Sequence, residues 1–190
     1  VGLVIRSDLA KHIEDIEPIN ERLMYMTIDG TIPINIIVAY MPTSIENTET
    51  KDKAYENLQN TYDKLKNTGP TYIMGDFNAR LIYPNNSTEE ESIGKFTMFD
   101  NNDYLSNSNY KEGMLENREL LMQFSMSNEL KITNTTLQKN IGKLATYRIV
   151  KNNEETTYEE INNRTHAQID FVIVSHRWRN SITDIESDTR

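Results

Sequence analysis

The stretch Thr71-Tyr72-Ile73-Met74-Gly75-Asp76-Phe77-Asn78 passes without a break from a short apolar run into a glycine, a carboxylate, an aromatic ring and an amide. Its first half is bounded upstream by Gly69-Pro70 and reads as a buried strand. Side chains alternate along a strand, so Asp76 and Asn78 emerge on one side while Phe77 points to the other. Two short polar groups leaving the end of a buried strand suit a catalytic pair. Asp and Asn also favour turns by bonding their own backbone, and the segment alone leaves both readings open.

Upstream, residues 48–67 carry Ala54, Leu58, Tyr62 and Leu65 at helical spacing, the stripe of an amphipathic helix. Before it, residues 32–40 form a near-continuous apolar strand that ends in Val38-Ala39-Tyr40-Met41-Pro42, where proline stops the ladder. Residues 23–28 and 2–5 also read as strands, and Asp29-Gly30 reads as a two-residue hairpin turn. Downstream, residues 85–110 are polar and acidic and read as a long surface loop. Leu115, Leu120, Leu121 and Phe124 mark a second helix, followed by strands at 131–134 and 145–150 and a turn at 151–155. The last strand is Ile169-Asp170-Phe171-Val172-Ile173-Val174. Helices alternating with strands predict layered α/β packing.

The chain has 190 residues, 37% of them hydrophobic, and reads as one domain. It contains no cysteine, which excludes disulfides, thiolate zinc sites and a cysteine nucleophile. The formal charge of -9 argues against a broadly basic nucleic-acid surface, yet carboxylates that hold a cation would contribute to such a total. Neither a membrane-spanning run nor a secretory leader is legible, so a soluble intracellular protein, nuclear or cytoplasmic, is expected. Val1 already stands in a strand-like pattern, so preceding sequence is expected.

Asp170 lies inside an apolar strand, where a carboxylate is costly unless it is paired or binds a cation. Tyr40 stands at a strand end, either as a core aromatic whose hydroxyl reaches the surface or as a functional group. Arg164, Arg177 and Arg179 make a locally basic stretch that is either a solvated face or a phosphate contact. His12 and His176 read as solvated, and His166 falls in a polar connection.

Taken in order and spacing, Val38-Ala39-Tyr40-Met41-Pro42, Gly75-Asp76-Phe77-Asn78-Ala79, Thr146-Tyr147 and Gln168-Ile169-Asp170-Phe171-Val172-Ile173-Val174-Ser175 resemble the motifs of the endonuclease/exonuclease/phosphatase superfamily. Ile93-Gly94-Lys95-Phe96, Asn117-Arg118-Glu119-Leu120-Leu121, Ile132-Thr133-Asn134-Thr135 and Arg177-Trp178-Arg179 are similar to the branch holding craniofacial development protein 2 and the endonucleases of non-LTR retrotransposons. The resemblance spans essentially the whole chain.

It implies a four-layer α/β sandwich, two packed β-sheets flanked by helices, truncated at both ends. A single domain over residues 1–190 would carry its active site at one rim of the sheets. The implied activity is metal-dependent phosphodiester hydrolysis on DNA. Asp76 would position or deprotonate the attacking water, Asn78 would hold the scissile phosphate, Tyr40 would bond a phosphate oxygen and Asp170 would orient a histidine. Asp76 and Asn78 are the implied ligands of Mg2+ or Mn2+. Thr146 and Arg177 are the expected substrate contacts. The family's principal metal glutamate is expected upstream of Val1, and its closing Ser-Asp-His beyond Asp188, which is followed here by Thr189. The 190-residue piece is therefore expected to be a poor catalyst. A catalytically inactive binding module and a phosphatase for a smaller phosphoester are the competing readings.

Overall fold

The structure is a computed structural model and describes residues 1–98, 112–148 and 166–187. Its elements are β1 (Ile13–Asn20), β2 (Leu23–Ile28), β3 (Ile34–Tyr40), α1 (Thr48–Leu65), β4 (Thr71–Asp76), α2 (Ser87–Ser92), α3 (Glu112–Ser127), β5 (Leu130–Ile132), β6 (Tyr147–Arg148), β7 (His166–Ala167) and β8 (Asp170–Ser175). Six strands form one mixed sheet in the order β1-β2-β3-β4-β8-β5, and β6 and β7 form a second, two-stranded sheet. Among the described residues only β3 and β4 are parallel neighbours, joined by the crossover through α1. This is the expected α/β architecture of two sheets with flanking helices, although among the described residues the second sheet amounts to two short strands.

Alternation along the central strands sorts the core. Ile37 and Ala39 of β3, Ile73 of β4 and Phe171 and Ile173 of β8 are all buried. They pack with Tyr55, Leu58, Tyr62 and Leu65 of α1 and Leu121 and Phe124 of α3. The predicted stripe of α1 therefore faces the sheet, and Asn47 starts the helix by accepting the Thr50 N–H. Val38, Met74 and Val172 face the other way and line a cleft of about 360 Å³ with Leu144, Thr146 and residues from both ends of the described chain. No helix among the described residues is long and apolar enough to cross a membrane.

Several local expectations change. Residues 2–5 carry no strand, and the first strand is β1, hidden in the sequence by its acids and by Pro18. It is an edge strand, where such residues are tolerated. Ile28 pairs with Ile34, so residues 29–33 form the β2–β3 connection in place of the two-residue turn expected at Asp29-Gly30. Ile32-Pro33 lies outside β3 because proline supplies no ladder donor.

Within the expected surface loop, residues 87–92 are helical and Glu89 and Ile93 are buried. Asn86 accepts the Glu89 N–H, and the Glu89 carboxylate accepts the Asn85 N–H and pairs with Arg118. The polarity that suggested a loop is thus a capped helix held by a buried ion pair. Of the remaining expectations, those on residues 99–111, on the 151–155 turn, on Arg164 and on Asp188 lie outside the described residues.

Candidate active site

The site grows from the register of three strands. Tyr40, the last residue of β3, pairs with Asp76, the last of β4, and Asp76 pairs across its other edge with Asp170, the first of β8. Three residues far apart in sequence therefore occupy one rung at one end of the sheet, where paired Cα atoms stand roughly 5 Å apart.

Gly75 makes this rung possible. Its φ is +141°, in the region that favours glycine, and a Cβ there would lie 1.9 Å from the Ala39 carbonyl oxygen. Without a side chain, β4 approaches β3 closely next to Tyr40 and Asp76.

Beyond the rung the chain turns sharply. Asn78 has a φ of 48°, a left-handed conformation that asparagine tolerates better than most residues. Its N–H donates to Asp76 Oδ1 at 2.8 Å and its Nδ2 donates to the Met41 carbonyl at 2.8 Å. The turn that the residue types allowed is therefore real. Phe77 is fully buried against Phe171, and its N–H donates to the Ile169 carbonyl at 2.8 Å. Burial of that ring is worth about 2–3 kcal/mol, which sets the orientation of the flanking polar pair. The Asp76 carbonyl also accepts the Met41 N–H at 2.7 Å, so the turn is pinned on both flanks.

Burial raises the Asp76 carboxyl from 3.8 to about 6, opposed by the Asn78 N–H and reinforced by the neighbouring Asp170 charge. Two half-buried carboxylates side by side make a place where a divalent cation would relieve both burial and repulsion. Magnesium commonly uses one or two protein carboxylates and keeps its waters, so Asp76 and Asp170 fit part of such a shell. Among the described residues no three acids, histidines or cysteines gather in one metal-binding group.

The other expected contacts are distributed differently. Thr146 Oγ1 accepts the N–H groups of Ile169 and Asp170 at 3.0 and 3.1 Å, anchoring the start of β8 beside the site. Arg177 is not brought to the rung. It follows the far end of β8, about 17 Å from Asp170 at about 3.4 Å per residue, and its guanidinium lies 5.2 Å from the Trp178 ring centroid. His12 is exposed as expected, His176 is half-buried with Nε2 enclosed and so less solvated than expected, and His166, read as part of a polar connection, is buried in β7.

Sequence reasoning assigned no role to Asn117. Its Nδ2 donates to the carbonyls of Pro42 and Asn78 at 3.0 and 2.9 Å, joining the segment after Tyr40 to the turn after Asp76. The signal was available, because Asn117 shares a helical face with Leu121 and Phe124 and an amide on a buried face requires partners.

No family model matches the sequence. Craniofacial development protein 2 of Bos taurus is 26% identical over 185 residues, covering 96% of this chain, and the chain spans 26% of that protein's length. The 3' phosphatase NExo from Neisseria, solved bound to a product DNA hairpin, superposes with a TM-score of 0.57 over 90% of this chain and 62% of its own, at 14% identity. The chain has the endonuclease/exonuclease/phosphatase superfamily fold. A protein of that family from Leptotrichia buccalis aligns over 80% of this chain and 41% of its own at 16% identity and a TM-score of 0.45. In the endonuclease/exonuclease/phosphatase fold of this chain, Tyr40, Asp76 and Asp170 stand together at one rim of the large sheet.

Proposed function

We propose that this chain forms a divalent-metal-assisted phosphodiester hydrolase that acts on DNA, descended from a retrotransposon endonuclease. The observation that supports the reading best is the Tyr40-Asp76-Asp170 rung with Asn78 turned back upon it. In this reading the Asp76 carboxyl, pushed up to about 6, is mostly ionised at neutral pH yet more basic than an ordinary carboxylate. That suits a group that positions an attacking water by accepting its hydrogen bond, a role that a bound cation, which lowers the carboxyl's proton affinity, leaves intact. The Tyr40 hydroxyl donates to a non-bridging phosphate oxygen, and the Asn78 side chain orients the phosphate. Burial, with a smaller contribution from the Asp170 charge, holds Asp76 at raised basicity. When bound, a magnesium or manganese ion supplies positive charge to the phosphoryl group, with Asp76 and Asp170 as its protein oxygens.

Nucleic acid as the substrate class draws support from NExo, which was solved with a product DNA hairpin. The competing reading, an inactive binding module, is favoured by one observation: no third acidic or histidine ligand joins the pair among the described residues. Plasmid nicking with magnesium separates the two. The chain and a version lengthened at both ends are compared, each with Asp76→Ala. Nicking by the longer form that Asp76→Ala abolishes supports the hydrolase. A folded longer form that retards DNA in a gel without nicking it supports the binding module, and turnover of a small phosphomonoester alone supports the phosphatase.

A further inference from the structure

Arg22 lies in the tight turn between β1 and β2, and its main chain is fixed on both sides. Its N–H donates to Asn20 Oδ1 at 2.8 Å, and its carbonyl accepts the N–H of Tyr40 at 2.8 Å. The side chain then folds back over the same tyrosine, with Cζ 5.3 Å from the ring centroid.

A guanidinium carries five N–H donors. Here Nη2 makes one contact, 3.5 Å from Glu46, and Nη1 is buried with no hydrogen-bond partner. Leaving a buried donor without an acceptor is unfavourable. The aromatic face offers the compensation, since a cation over a tyrosine ring is attracted by its quadrupole. The Glu46 contact, long and partly solvated, cannot explain the placement. Tyr40 is 41% exposed at the end of its strand, so its own burial leaves the ring free to change rotamer.

We propose that Arg22 is a positioning residue for Tyr40. It clamps the ring so that the hydroxyl stays on the Asp76 rung. The inference rests on the reading that Tyr40 contacts the phosphate, and it adds a residue to which neither motif nor burial had drawn attention.

Two double-mutant cycles test it. The first uses plasmid nicking by the full-length protein with Arg22→Met, Tyr40→Phe and the pair. Arg22→Met should lower kcat about 5- to 10-fold with KM within about twofold, and less than twofold once the hydroxyl is absent, because a positioning residue has nothing left to position. Arg22→Lys should recover only part of the loss, since an ammonium cannot stack as a plane. An equal loss in both backgrounds would mean that Arg22 acts independently of Tyr40 and would overturn the proposal. The second cycle uses urea unfolding with Arg22→Met and Tyr40→Ala and does not depend on catalysis. A coupling of about 2- to 5-fold in the unfolding constant is expected for a cation on an aromatic ring, and strict additivity would overturn the clamp. Absence of nicking by the unaltered protein would sink the hydrolase reading while leaving the unfolding cycle decisive for Arg22.

Discussion

Replacing Asp76 with asparagine is expected to stabilise the protein at neutral pH. The carboxyl titrates near 3.8 in an unfolded chain and near 6 in the folded one. Folding therefore favours its protonated form. The native state carries the cost of an ionised Asp76 in full above about pH 6, in diminishing part between 6 and 3.8, and not at all below. Two units at about 1.4 kcal/mol each give an upper figure of roughly 3 kcal/mol. The side chain is only half-buried and water screens part of the interaction, so about 1–2 kcal/mol is the expectation. Asparagine has the same shape and keeps an oxygen for the Asn78 N–H, so little else is lost. For a chain of this size, the gain corresponds to a rise in Tm of about 2–8 °C at pH 7.5, shrinking to nothing near pH 3.5. Thermal unfolding in EDTA across that range measures it. Added magnesium should stabilise the unaltered protein more than Asp76→Asn and narrow the difference at pH 7.5. A pH-independent difference, or a loss of stability with Asp76→Asn at every pH, would refute the reasoning.

Three further outcomes follow from the same geometry. Gly75→Ala, whose Cβ would sit 1.9 Å from the Ala39 oxygen, should force β3 and β4 apart at the Tyr40 rung and destabilise by about 3 kcal/mol or more, read by urea denaturation. Asn117→Leu removes the ties to Pro42 and Asn78 and strands one buried and one part-buried carbonyl, so a loss of about 1–3 kcal/mol is expected. Faster hydrogen exchange at Met41 and Ala79 should accompany it. Arg118→Met leaves Glu89 buried and unpaired. Burial pushes that carboxyl up, but the Arg118 hydrogen bonds and the Asn85 N–H outweigh it and hold it below the usual range. The pair at 2.7 Å should therefore cost about 3–5 kcal/mol when broken from one side. Arg118→Met with Glu89→Gln should recover much of the loss in calorimetry.

What was legible in the sequence is what short-range periodicity controls. The stripe of α1 and the buried runs of β4 and β8 are consequences of 3.6- and 2-residue repeats, which hold before any tertiary contact forms, whereas Asn78 lies past the end of β4 in a left-handed turn that strand alternation does not describe. β1 was missed because an edge strand tolerates acids and proline, so its alternation is weak. The helix at 87–92 was missed because its caps and its buried Glu89 are satisfied by Asn85, Asn86 and a distant Arg118. The sequence alone determined which side chains could do chemistry at a strand's end. Only the tertiary structure decided that Tyr40, Asp76 and Asp170 share a rung, that Arg177 lies at the other end of β8, that Arg22 lies over Tyr40 and that Asn117 ties Pro42 to Asn78, because each depends on register between strands or packing between elements remote in the chain.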